Sequence, residues 1–177
     1  AVNPPADGIG LDGLERAWSH IERATRDGQD GAARWNMMSA SMQGAMAFQK
    51  GLGCVHSLSH SLCGANPKLH HGTLNAVFLP AVVRFNASAP SIAKERRLER
   101  MAHAMGLAPG GSAADAVADA IRTMNARLGL PSGLAALGVE TSMVERIIDG
   151  AMADHTHKTN PRLATRDDYS RMLEESM

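Results

Sequence analysis

A chain of 177 residues is long enough to bury a proper core, and its 44% hydrophobic content excludes a disordered segment. Its 18 basic and 18 acidic side chains cancel, with no long basic run, so the electrostatic footprint of a nucleic-acid binder is missing. No apolar stretch reaches the ~18 residues of a membrane span, and the opening AVNPPADGIG lacks the basic and apolar regions of a signal peptide, which makes a cytoplasmic setting the expectation.

Aromatic residues are only 3% of the chain, while Ala, Leu and Met are plentiful. Those types favour helices over strands, so the expected fold is all-α, a multi-helix bundle in one domain over residues 1–177. Pro4 and Pro5 open a first helix to about Arg26, because proline's missing N–H has no partner in a first turn anyway. Leu11, Leu14, Trp18 and Ile21 share one face of it, and Asp27–Gly28 ends it. A second helix is expected from Gly31 to Lys50, with Met37, Met38, Met42, Met46 and Phe48 as a core-facing stripe. Gly51 and Gly53 interrupt the pattern before a short helix from Cys54 to Leu62. Asn66–Pro67 marks a loop, and Gly72 to Phe85 is apolar on nearly all sides, as in a buried helix kinked or ended at Pro80. A buried strand over Val77–Phe85 is the rival reading, which Pro80 disfavours.

Ala89 to Met105 then reads as one amphipathic helix whose charged run faces solvent. Helices follow over Ala113–Leu128 with Ser112 as N-cap, over Thr141–Ala153, and over Arg166–Glu175 with Thr165 as N-cap. Pro109–Gly110–Gly111–Ser112 imitates a phosphate loop, but it lacks the full glycine pattern and a preceding strand, so a capped helix start explains it. Cys54 and Cys63 fit no metal-ribbon or redox spacing and read as free thiols, mostly buried.

The chemistry lies in the histidines. His56, His60, His70 and His71 crowd into one stretch. On a helix His56 and His60 stand one turn apart on one face, and the Asn66–Pro67 loop returns the chain to His70 and His71. Converging imidazoles suit Zn, Fe(II) or Ni better than Mg or Ca. Spacing alone leaves incidental polar residues as an open alternative. His155 and His157 read as polar residues of a surface loop, and His20 and His103 as ordinary helix-surface residues.

The stretch from Gly51 through Cys54, His56, His60 and Gly64, then Leu69-His-His71-Gly72-Thr-Leu-Asn75-Ala76, then Leu79-Pro80 and Phe85-Asn86, resembles the second signature of iron-containing alcohol dehydrogenases. Asp154 followed by Asn160-Pro161-Arg162, Thr165 and Tyr169 resembles that family's C-terminal segment, and Asn3-Pro4-Pro5-Ala6-Asp7 resembles the segment after its first metal motif. The resemblance implies that His56 and His71 are metal ligands, with His70 as the alternate because the spacing is one residue longer than usual. It implies that His60 relays the substrate proton. The implied cofactors are Fe(II), or Zn in its place, and NAD(P); the implied substrate is a small alcohol or aldehyde.

Two further ligands, an Asp and a His, and the dinucleotide-binding domain belong upstream of Ala1 in that family. On the resemblance this chain is therefore the C-terminal metal-binding part of a larger enzyme, a homo-oligomer when intact, and inactive alone. The alternatives are a relative similar to maleylacetate reductases, and a helical interaction or metal-binding module without catalysis.

Overall fold

The computed structural model describes residues 3–108 and 110–177. Among the described residues there are nine α-helices and no strand, in agreement with the all-α expectation. Helices α1 (Pro4–Arg26) and α2 (Gly31–Ala47) form an antiparallel hairpin. Asn3 caps α1 by accepting from Ala6 N, and Asp30 caps α2 by accepting from Ala33 N. A 3₁₀ turn, Phe48–Lys50, leads into α3 (Cys54–Ala65), and a tight loop turns the chain into α4 (His71–Asn86). After α5 (Pro90–Lys94) come α6 (Arg97–Ala104), α7 (Ala113–Arg127), α8 (Val144–Ala153) and α9 (Arg166–Ser176). Ser112 caps α7, and Thr165 with Asp168 makes a full capping box at α9. Of the apparent phosphate loop, Pro109 lies outside the described residues.

Helix α4 belongs to two cores. On one side Leu74, Phe78 and Ala81 pack with Leu58 and Leu62 of α3, Ile147 of α8, and Tyr169 and Leu173 of α9. On the other, Val83 joins Leu98 of α6 and Val117 and Ile121 of α7. A helix apolar on nearly all sides is what a position between two cores requires. Pro80 sits inside α4 and is buried. It has no N–H for the Ala76 carbonyl one turn back. That carbonyl is taken instead by Asn125 of α7, whose Nδ2 donates to it at 2.8 Å. The helix therefore runs through its proline, and the strand reading of Val77–Phe85 is set aside.

Two expectations are corrected. The single helix over Ala89–Met105 is broken: Arg96 adopts φ 48°, ψ 44°, a left-handed conformation unusual for a side-chain-bearing residue. The break redirects α6 so that Leu98 and Met101 reach α7, and no Gly or Pro announces it. The methionine stripe of α2 is not core either. Met38, Met42, Met46 and Phe48 are exposed, and Met38 is 72% accessible. The cause is that α2 packs chiefly on α1, so among its described residues Ala33 and Ala40 alone are buried.

The Pro80–Asn125 pairing is testable by a double-mutant cycle. Asn125→Ala should cost about 1–3 kcal/mol, the penalty for leaving the Ala76 carbonyl unpaired. In a Pro80→Ala background, where residue 80 regains an N–H, the same change should cost clearly less, as read from urea unfolding midpoints.

Candidate metal centre and proton-relay site

The N-terminus of α3 has no side-chain cap of its own. Asn160 supplies one from the segment before α9: its Oδ1 accepts from Cys54 N at 3.1 Å. Its Nδ2 donates to Asn86 Oδ1 at the end of α4 and to the Arg162 carbonyl, each at 2.7 Å. One amide thus ties the start of α3 to the end of α4. The approach requires glycine at position 53, where a Cβ would collide with the Asn160 side chain. A second close approach, between Gly150 of α8 and Ser61 of α3, lets Ser61 Oγ donate to the Ile147 carbonyl at 2.8 Å.

On this frame the histidines converge. The ring centres of His56 and His60 are 5.6 Å apart, those of His56 and His71 5.4 Å, and those of His60 and His71 5.3 Å. Two imidazoles bound to one ion through nitrogens at about 2.1 Å place their centres roughly 5.3 Å apart when the angle between them is near tetrahedral. His70 is turned away. It is the N-cap of α4, and its Nδ1 accepts from Thr73 N at 3.3 Å. Of the two adjacent histidines, the second therefore brings its ring to His56.

Two of the three rings have a hydrogen-bond partner on one nitrogen. His60 Nδ1 donates to Asp154 Oδ2 at 3.0 Å, which leaves Nε2 of the neutral ring as a lone pair. Asp154 is held in turn: its Oδ1 accepts from Thr156 N at 2.8 Å and from the Thr156 hydroxyl at 2.5 Å. Thr156 Oγ1 also lies 2.9 Å from the buried Ser57 Oγ, back on α3. Asn75 Nδ2 lies 3.0 Å from His71 Nε2 while its Oδ1 is left without a partner; with the amide turned over, Oδ1 accepts from Nε2–H and Nδ1 of the neutral ring carries the lone pair. His155 is exposed and stacks beside His60 at 6.3 Å.

Burial holds the His56 ring below the ordinary histidine range, helped by the neighbouring His71 and His60 and opposed by Asp154. Burial does the same to His71, followed by the charges of His60 and His70. At neutral pH both rings are uncharged, the form that binds a metal. Burial works to raise the Asp154 carboxyl, but Thr156 and His60 together outweigh it, and the group lies below the usual carboxylate range. The cysteines play no part: both are free, and burial pushes the Cys54 thiol up to about 11.

Among the described residues no group of three or more His, Cys, Asp or Glu is arranged to close around an ion. His56 and His71 could supply two donors to an ion and no more. His157 corrects an expectation. It is buried, not a surface residue, and its Nδ1 shares a 3.0 Å hydrogen bond with the Tyr169 hydroxyl. Asp154, Thr156 and Asn160 are the site residues to which sequence reasoning gave no role. They stand about a hundred positions from the helix they serve, and no local spacing points to them.

The description "Fe-containing alcohol dehydrogenase family, C-terminal" matches residues 1–177. The chain is 62% identical to 4-hydroxybutyrate dehydrogenase of Cupriavidus necator, covering 100% of this chain and 46% of that protein. It is 32% identical to NAD-dependent methanol dehydrogenase of Bacillus methanolicus, covering 99% and 46%. A crystal structure of 1,3-propanediol oxidoreductase superposes with a TM-score of 0.91 at 29% identity, over 99% of this chain and 46% of that one. This chain belongs to the iron-containing alcohol dehydrogenase family, and it spans about half the length of the curated relatives it matches.

The lowered histidines make the metal-free chain acid-sensitive. Below pH ~6.5 the unfolded chain takes up protons that folded His56 and His71 resist, so this contribution is complete above that pH and is lost as pH falls through their depressed values. Urea midpoints measured from pH 7.5 to 5 should fall, and His56→Gln with His71→Gln should flatten the slope.

Proposed function

We propose that this chain is the metal-holding part of an NAD(P)-linked dehydrogenase that interconverts a small alcohol and its aldehyde by hydride transfer. The observation that carries the reading is the meeting of His56, His60 and His71, with His60 held by Asp154. Family membership and the 62% identity to a 4-hydroxybutyrate dehydrogenase support a short ω-hydroxy acid as the alcohol.

His56 and His71 would hold the ion, Fe(II) or Zn, through neutral imidazole nitrogens, the donor type both metals accept. When bound, the metal supplies Lewis-acid polarisation of the substrate oxygen. The remaining donors and the nicotinamide-binding half would come from protein outside this chain.

His60 is the base. Because Nδ1–H is committed to Asp154, the Nε2 lone pair is available to take the hydroxyl proton during oxidation and to return it during reduction. Asp154 stabilises the imidazolium formed when that proton arrives, and it is fixed for the task by two hydrogen bonds from Thr156. The same bond keeps the ring from rotating, so Nε2 keeps one direction throughout turnover. His56 differs in having no carboxylate on its ring, which suits a ligand rather than a base.

In the dehydrogenase that carries this chain, His56→Ala and His71→Ala should each lower metal content and abolish turnover. His60→Ala should retain the metal and lower kcat by about 10²–10⁴. Asp154→Asn should retain metal and fold yet lower kcat, because an amide facing Nδ1 favours the opposite tautomer. Metal analysis beside steady-state kinetics reads all four; full metal occupancy in His56→Ala would remove the ligand assignment.

A further inference from the structure

Asp154 serves two imidazoles. Its Oδ2 accepts from His60 Nδ1 at 3.0 Å, and its Oδ1 lies 3.8 Å from His155 Nδ1. The two rings stack with centres 6.3 Å apart and planes inclined by 23°. Both turn Nδ1 toward the same carboxylate, so in each ring Nε2 occupies the edge away from it. Near-parallel rings with their near edges on one carboxylate present their far edges side by side, separated by about the ring spacing. His155 opens the 3₁₀ turn His155–Thr159 directly after Asp154, and its side chain is 85% exposed. Asp154 is committed to His60 and Thr156, and among the described residues nothing bonds the outer nitrogen of His155.

The rings stand in a row. His60 stacks on His71 at 5.3 Å and 19°, and on His155 at 6.3 Å and 23°, while among the described residues no ring contact joins His71 to His155. The proposed metal ligand and His155 thus lie on different sides of the proposed base. For a hydroxyl that meets both the ion and His60 Nε2, the next polar edge along the row is Nε2 of His155. An extended four-carbon ω-hydroxy acid spans about 6 Å from its hydroxyl oxygen to its carboxylate, from bonds of ~1.5 Å. That span matches the 6.3 Å spacing of the two rings. An imidazole with a carboxylate at each edge favours the ring protonated on both nitrogens, which donates to both. Asp154 already supplies one of those carboxylates to His155.

We propose that His155 determines substrate specificity, its Nε2–H holding the carboxylate of a short ω-hydroxy acid whose hydroxyl meets His60. The hydroxyl end rests on the dehydrogenase reading; the carboxylate end rests on the paired rings over Asp154. His155 reads the substrate and takes no part in the hydride or proton transfer. A simple alcohol of the same length reaches His60 equally well and has nothing to offer the second ring.

In the dehydrogenase that carries this chain, His155→Ala should lower the ratio of kcat/KM for 4-hydroxybutanoate over 1-butanol at least tenfold, chiefly through KM for the acid. His155→Lys, which restores a cationic donor, should recover most of that ratio. The side chain is exposed, so the variants should keep the wild-type metal content and urea midpoint. An unchanged ratio, or an equal fall for both compounds, overturns the carboxylate assignment and leaves the dehydrogenase reading standing. If the wild-type enzyme turns over neither compound with NAD(P), the dehydrogenase reading falls. The carboxylate end is then judged on the chain itself, by titrating it with sodium 4-hydroxybutanoate, 1-butanol and sodium chloride while following the His155 ring ¹⁵N resonances. A saturable shift with the hydroxy acid alone supports the site; no shift, or the same shift with chloride, overturns it.

Discussion

The amide of Asn160 is the contact on which the site's geometry depends. It caps the start of α3, pairs with Asn86 at the end of α4 and accommodates the turn at Arg162. Each such bond is worth roughly 0.5–1.5 kcal/mol by itself. Their effect here comes from joining elements far apart in sequence at one point. Helix α3 carries His56 and His60 in its first two turns and α4 carries His71 at its first residue, so the placing of the two helices against each other sets how closely the rings meet. Arg162 reinforces the same corner, with its guanidinium over the Phe85 ring at 4.2 Å and hydrogen-bonded to Asp168 at 3.0 Å.

Given that frame, the three rings divide into two kinds by their hydrogen bonds. A carboxylate holds one ring nitrogen of His60, which suits it to the proposed role of base, while His56 has no such partner and is held below the ordinary histidine range by partial burial. The polar chain from His60 through Asp154 and Thr156 ends at Ser57 inside α3. A buried polar network is affordable only when its members are satisfied, and here the satisfaction loops back to the helix that carries the base. Orientation of the base and stability of α3 are therefore one structural problem with one solution.

The α1–α2 hairpin follows a different logic. Its outward face holds Trp35, Met38 and Met42, each more than half exposed, in a helix whose lone charged residue is Arg34. Apolar composition at helical spacing states that a face is meant to be covered; it does not state by which part of the molecule. The stripe was therefore legible as apolar and misread as core. The Arg96 break was illegible for a related reason: every residue from Ala89 to Met105 tolerates a helix, and packing on α7 bends the chain where no Gly or Pro asks for it.

What the sequence by itself determined is local. Helical periodicity, the Ser112 and Thr165 caps, and the one-turn spacing of His56 and His60 are read from neighbours within four residues, and the structure holds each of them. The motif around His71-Gly72 pointed to the family through its pattern of residues. What only the tertiary structure decided is long-range. It selected His71 over His70 for the meeting with His56, because His70 is consumed as the α4 cap. It delivered Asp154 to His60 across 94 residues and Asn160 to Cys54 across 106. It also gave Pro80 a partner helix that repairs its missing bond. Hydrogen-bond partners beyond one helical turn leave no periodic trace in a sequence, because their spacing is set by how helices pack and not by how a helix winds.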